Sequence, residues 1–309
     1  MVRVDITKGK TNKIRSGRTF DVINIGLLAL VMVIVLYPLY FTVIASFSDP
    51  YALMRGEVIF LPAGFTLEAY ANVFKNSEIW MGYLNTVFYA GIGTVYALII
   101  TIPTSYVMAR KQLRGRNFWM AYFMFTMYFS GGMVPGYILI KNLGLINTRW
   151  ALIFPAGMSI YNMIIGRTFY QSNIPDELYE AARIDGANEY RIFFNIALPL
   201  SNSIIAVIAL YILVGHWNSY FPALLYLTDD KLYPLQLILR NILLFNQQFS
   251  IVETSSMSSA QLEAILRRQM MAETMKYALI FISSLPVLVA YPFVQKHFVK
   301  GVMIGAVKG

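Results

Sequence analysis

Seven ionisable side chains crowd into the thirty residues from Gln171 to Leu200, QSNIPDELYEAARIDGANEYRIFFNIALPL. Five are carboxylates (Asp176, Glu177, Glu180, Asp185 and Glu189), set against Arg183 and Arg191. This acidic stretch lies in a chain of net charge +9 and between two strongly apolar runs. An amphipathic segment resting on lipid displays Lys and Arg to anionic headgroups. A segment that displays carboxylates is suited instead to recognition by another protein.

The pattern is that of two short helices joined by a tight turn. Pro175 opens the first, where its missing N–H costs nothing. Asp176 and Glu177 follow in the first turn, favoured by the helix dipole. Ile174, Leu178 and Ala181/Ala182 recur at helical spacing and predict a narrow apolar face low enough for close approach. Gly186 is placed to end the helix with positive φ. Asn188 is a good N-cap for the second helix, in which Tyr190, Phe193, Phe194 and Ala197 predict a wide apolar stripe. Pro199 ends the pattern before the next apolar run.

Other chemistry is sparse. The chain has no cysteine, hence no disulfide and no thiolate. It has no G-x-x-x-x-G-K-[ST] phosphate loop. Its two histidines, His216 and His297, lie far apart in sequence, and no metal or nucleophilic constellation can be assembled. The polar side chains inside apolar runs are the candidates for a solute path: Asn85, Thr86, Ser130, Asn162, Asn218 and Ser219. Tyr122, Tyr128, Tyr161, Tyr211, Trp217 and Tyr220 offer apolar ring faces with a hydroxyl or N–H. Packing and an interfacial aromatic belt account for most such residues.

These groups must be held by membrane helices. Only 13% of the 309 residues are charged and the mean hydropathy is +0.56, where soluble domains carry about 25% charge. Continuous apolar runs of bilayer length predict helices rather than strands. Six spans are expected, at 22–45, 84–109, 118–140, 150–170, 201–227 and 275–295. None contains Asp or Glu, which counts against an ion-coupled secondary transporter, the alternative reading of the function. Most Lys and Arg outside the spans fall on the side holding both termini, so the positive-inside rule puts both in the cytoplasm. The first run is too long for a cleaved signal peptide. The organisation expected is a cytoplasmic segment 1–21, a six-span domain 22–295 with the helix pair at 175–199, and a cytoplasmic tail 296–309.

Every span carries proline (Pro38, Pro103, Pro135, Pro155, Pro222, and Pro286 with Pro292), read as ordinary kinks or as hinges of a bundle that opens and closes. Two outward segments, 46–83 and 228–274, are long for connections. Short helices are expected near 67–74 and 259–272, and the segments could seat an external partner or cap the bundle.

The helix pair resembles the signature EAA-x3-G-x9-I-x-LP of permease subunits of bacterial ATP-binding-cassette importers, matched by Glu180, Ala181, Ala182, Gly186, Ile196, Leu198 and Pro199. The tail ending GAVKG and the stretch WNSYFPALLYL (217–227) are similar to sugar-importer permeases, in particular those for polysaccharide fragments such as rhamnogalacturonan or alginate pieces. The resemblance implies an all-α, six-span, MetI-like fold in a bacterial cell membrane. It implies ATPase docking through Glu180, Ala181, Ala182, Asp185, Gly186, Ile196, Leu198 and Pro199, with Glu180 a polar contact and Gly186 the turn. It implies a second permease, two cytoplasmic ATPases that hold ATP and Mg, an external solute-binding protein and an oligosaccharide substrate. No cofactor on this chain, no catalysis by it and no nucleic acid are expected. The path for the sugar is assigned to Asn85, Tyr122, Tyr128, Asn162, Tyr211, Trp217 and Asn218.

Overall fold

The computed structural model describes residues 18–249, 270–289 and 291–292. Among them the regular elements are all helical. The longest is α4 (Ser77–Ala109), a 33-residue rod that extends about 50 Å at 1.5 Å per residue. Asn76 caps its start, accepting the Glu78 N–H at 2.9 Å. The chain turns extended at Arg110, which ends it. Three hydroxyls along α4 bond back to carbonyls one turn earlier, Thr86 to Gly82, Thr104 to Ile100 and Ser105 to Thr101, whereas those of Thr94 and Thr101 are buried without a partner.

Two helices pack along α4: α8 (Ile160–Asn173) and α12 (Asn202–Trp217). The α4–α8 contact is close because Gly166 faces Ser105, whose Oγ also reaches the Met163 carbonyl at 3.0 Å. One apolar core joins these three helices at the end that carries the 176–199 segment, through Ala97, Ile102, Tyr106, Tyr170, Ile204 and Ile208. A second core lies at the opposite end of α4. There Ile79 meets Ala69 and Val73 of α3 (Glu68–Lys75), Leu235, Ile238 and Leu239 of α14 (Leu235–Phe249), and Ala278 and Leu279 of α15 (Met270–Val289). Helix α3 falls where the sequence places a helix; the short α2 (Pro50–Met54) and α14 were not anticipated.

Helix α1 (Arg18–Ser46) is apolar all round and exposed from Phe20 to Tyr40. Such a helix needs an apolar surround, lipid or another chain. Near its end it meets other described residues: Tyr37 donates to the Ile59 carbonyl at 3.2 Å, Tyr40 donates to that of Phe60, and Phe41 packs edge-on against Tyr277.

The six expected spans do not correspond one to one with continuous helices among the described residues. Three helices, α1, α4 and α15, are each long and apolar enough to cross a membrane; the number rises to five if two bent pairs count as one span each. The 118–140 run is α5 (Arg116–Tyr128) and α6 (Met133–Asn142), bent by 107°. The break falls at Gly131–Gly132, with Gly132 at φ 89°, just before Pro135. The 150–170 run splits into α7 (Trp150–Ile153), a 3-10 turn around Pro155, and α8, which Ser159 caps. The 201–227 run stops at Trp217 and restarts with Pro222 in the first turn of α13 (Phe221–Tyr226). In each case a residue without a backbone donor, or one tolerant of positive φ, interrupts the ladder. The described part of the last span, from Met270 to Val289, already includes residues before the expected 275. The rest of the predicted 259–272 helix and the C-terminal tail lie outside the described residues.

Replacing Gly166 with valine drives a branched side chain into Ser105 Oγ, which a bare Cβ would already approach to 2.6 Å. Such overpacking costs about 1–3 kcal/mol. The melting temperature of the detergent-purified protein is expected to fall; an unchanged value would contradict the close α4–α8 contact.

Candidate functional site

The acidic segment folds as an elbow. Its first arm is α9 (Asp176–Ile184). The Ala187 N–H bonds the Ala182 carbonyl at 2.9 Å and the Gly186 N–H bonds that of Arg183 at 3.0 Å. This is the paired closure of a helix C-terminus around a left-handed residue. Gly186 has φ 78°, as its sequence position requires. Asn188 caps the second arm, accepting the Arg191 N–H at 2.9 Å. That arm comprises α10 (Glu189–Ile192), a π-turn over Phe193–Ala197 and α11 (Leu198–Leu200).

One side of the elbow is fixed to the bundle. Ile174, Tyr179, Ala182, Ile192, Phe193 and Ala197 are buried in the core shared with α4, α8 and α12, and Ile196 and Leu198 pack beside them. The face predicted for the first arm is therefore corrected. Tyr179, not Leu178, turns inward with Ile174, and the two alanines divide, Ala182 inward and Ala181 outward. The stripe predicted for the second arm is corrected too. The wide π-turn rotates Tyr190 and Phe194 out while Ile192, Phe193 and Ala197 stay in.

The outer side carries Glu177, Leu178, Glu180, Ala181, Ile184 and Asp185, with Gly186 and Pro199 also exposed. Ile184 is 87% exposed and Tyr190 78%. Large apolar side chains set among carboxylates on a folded surface mark a place that a partner covers. Of the residues expected to dock, Glu180, Ala181, Asp185, Gly186 and Pro199 lie on the open surface; Ala182, Ile196 and Leu198 hold the elbow to the bundle.

The elbow is also fastened by charge to the end of α4. Glu189 receives hydrogen bonds from Arg183 at 2.7 Å and from the Tyr106 hydroxyl at 3.2 Å, and lies 4.0 Å from Arg110 Nε. Arg110 is only 8% exposed. Its guanidinium lies over the Tyr179 ring, 3.8 Å from the centroid, and near that of Tyr106. Lys111 pairs with Asp176 at 2.7 Å. Partial burial would by itself raise the Glu189 carboxyl, but the Arg183 hydrogen bond, the Arg110 charge and the Tyr106 hydroxyl outweigh it and hold the group below the usual carboxylate range. The hydrogen bond from Lys111 lowers Asp176 likewise. Burial pushes the Tyr179 phenol up to about 12. The sequence reading missed Tyr106, Arg110 and Lys111. Their only local signal is a helical spacing of four and five residues at the end of a span.

The polar candidates for a solute path separate. Asn162 and Tyr211 line one cleft of about 420 Å³ between the start of α8 and the end of α12, with Ser159, Tyr161, His216 and Ser219. Tyrosine rings, hydroxyls and an amide around a cavity suit stacking and hydrogen bonding to a polyhydroxylated ring. Asn85 is buried elsewhere, donating to the Lys231 and Tyr233 carbonyls at 2.7 and 3.1 Å and accepting from Arg149 at 3.2 Å. Trp217 is buried with its N–H on the Ser283 carbonyl at 2.9 Å. Tyr122 and Tyr128 stand exposed on α5, and Asn218 is exposed just beyond α12.

Residues 79–304 match the family described as binding-protein-dependent transport system inner membrane component. The chain is 39% identical over 295 residues to protein LplC of Bacillus subtilis, covering 96% of this chain and 97% of that one. It is 38% identical over 293 residues to the polygalacturonan/rhamnogalacturonan transport system permease protein YtcP of the same organism, covering 95% and 99%. Its fold is similar to a chain in the crystal structure of a bacterial ABC transporter involved in the import of the acidic polysaccharide alginate. That match has a TM-score of 0.80 and 32% identity over 92% of this chain and 98% of the other.

A β-branched residue at Gly186 must adopt positive φ, which costs about 1–2 kcal/mol. Gly186→Val is expected to expose the 176–199 segment to added protease in membrane vesicles, with Gly186→Asn close to wild type. Equal resistance of the valine variant would contradict the turn geometry.

Proposed function

The chain belongs to the family of binding-protein-dependent transport system inner membrane components, and from that premise we propose that it is one permease half of an ATP-driven importer of oligosaccharides. Relatives named for polygalacturonan, rhamnogalacturonan and alginate point to fragments of acidic polysaccharides as the substrate class. It pairs with a second, similar permease, and the sugar arrives on an external binding protein. Both termini and the elbow are proposed to lie on the cytoplasmic side, a reading supported by the distribution of Lys and Arg. The ion-coupled alternative has no support. The family is one of binding-protein-dependent systems, and the apolar runs hold no carboxylate to carry an ion.

The observation that carries the reading is the two-sided elbow: packed against the bundle within, acidic and apolar without. The sequence holds no phosphate loop, so the energy is supplied by partner ATPases, which bind the ATP and Mg. They receive the outer face of the elbow in a cleft, with Glu180 and Asp185 as polar contacts and Ile184 as an apolar anchor. Their closure moves the elbow as a rigid piece and rocks the bundle between inward-open and outward-open states. The cleft of Asn162 and Tyr211 is this half's share of the sugar path.

Purifying the complex from its native membrane tests the reading. A second permease and an ATPase are expected to copurify, and the associated binding protein to gain thermal stability with acidic oligosaccharides but not with monosaccharides. Recovery of the chain alone would sink it. Glu180→Lys is expected to reduce ATPase recovery severalfold; full recovery would make that carboxylate peripheral. Tyr211→Ala is expected to weaken sugar-stimulated ATP hydrolysis, and no change would remove the cleft from the path.

A further inference from the structure

Helix α4 is anchored by side chains at both ends. At one end Tyr106, Arg110 and Lys111 reach the elbow through Glu189, Tyr179 and Asp176. Glu189 also ties the two arms to each other, because Arg183 of the first arm bonds it. At the other end Asn85 holds the Lys231 and Tyr233 carbonyls and Tyr89 donates to that of Leu232 at 2.8 Å. Thr86 Oγ accepts the Leu235 N–H at 2.8 Å. Two consecutive turns of the same helix thus grip the segment that leads into α14. A neighbouring latch steadies this segment: Asn147, at φ 58°, accepts the Thr228 and Asp229 N–H groups at 3.0 and 2.9 Å.

Both attachments are polar; the far joint is buried, while at the near one the Glu189 side chain is 56% exposed and only its Arg110 neighbour is buried. Arg110, Asn85 and Thr86 are all buried. Removing one partner of a buried charge leaves the other uncompensated, so such joints resist slipping more than apolar contact does. Between the joints α4 is continuous, with Pro103 the only proline. It also forms the contact surface for α8 and α12, whose facing ends line the cleft.

We propose that α4 is a strut that carries displacement between the elbow and the 229–235 loop, fastened by Glu189 at one end and by Asn85 at the other. This rests on the permease reading, in which the loop lies on the outer side. The elbow then cannot shift without pulling the helix against which the cleft is built, and an external partner that pins the loop biases the elbow. Glu189, although exposed, is a positioning residue here: its two oxygens are engaged by Arg183 and Tyr106 rather than turned to the ATPase.

The test is a double-mutant cycle in the purified, reconstituted complex, reading ATPase recovery, ATP hydrolysed and sugar imported. Glu189→Gln is expected to keep the ATPase subunits and their hydrolysis while sugar imported per ATP falls by about fivefold or more. Tyr106→Phe, which deletes one hydroxyl, gives a smaller fall. Asn85→Ala at the far end gives the same phenotype, with Tyr89→Phe replacing it if that variant fails to assemble. Combining both ends is expected to be no worse than the more severe single change. Three results would each overturn the strut: an unchanged ratio in Glu189→Gln, a double variant whose loss is the product of the singles, or loss of the ATPase from Glu189→Gln. A wild-type complex that lacks an ATPase or imports no sugar would instead overturn the permease reading beneath it.

Discussion

One carboxylate holds the working end of this molecule together. Glu189 opens the second arm of the elbow, yet its oxygens are taken by Arg183 of the first arm and Tyr106 of α4, with Arg110 alongside. An acid at a helix N-terminus is favourable by itself. Here it also compensates a guanidinium that is almost wholly buried and that lies on the Tyr179 ring. The elbow is consequently neither a loose loop nor an extension of a span. It is a separate rigid piece, joined to the bundle by an apolar core and a charged fastening.

That construction separates two tasks. Ile192, Phe193 and Ala197 hold the piece in place, with Tyr179 and Ala182 from the first arm. Glu177, Glu180, Asp185 and Ile184 remain free to be gripped. On the proposed reading an ATPase grips the outer face, and separate inner contacts let it transmit force without peeling the piece away. The bend of 78° between the 189–200 segment and α12 belongs to the same design, since it turns the second arm across the end of the bundle.

The elbow was legible in the sequence because its signals are local. Pro175, Gly186 and Asn188 act within a turn of themselves, and the structure places an arm start, a left-handed closure and a cap at these residues. The motif Glu180–Pro199 likewise carried the resemblance to importer permeases, and the tail with the 217–227 stretch the resemblance to their sugar branch, which the family match and the relatives bear out. Which way each arm faces was not legible. A nine-residue helix with Ile174, Leu178, Tyr179, Ala181 and Ala182 has apolar side chains on both sides, and periodicity cannot choose between them. The π-turn adds a rotation that a 3.6-residue period does not contain. Helix breaks at Gly131–Gly132, Pro155 and Pro222 were present as residue types, but in lipid such residues also occur within continuous helices. Asn85 looked like a path residue because it is polar in an apolar run; its partners lie about 150 positions away, at Lys231 and Tyr233, where no local pattern reaches.

The central claim is that the acidic face of the elbow is held by a nucleotide-driven partner in the cytoplasm. The chain has no cysteine, so a single Ile184→Cys substitution gives a unique thiol at its most exposed large apolar side chain. Short-range thiol–amine cross-linking in intact cells, followed by mass spectrometry, should yield one dominant adduct joining this position to an ATPase subunit. A position that stays uncoupled, couples to lipid alone, or reacts with a thiol reagent that cannot enter the cell would contradict the account.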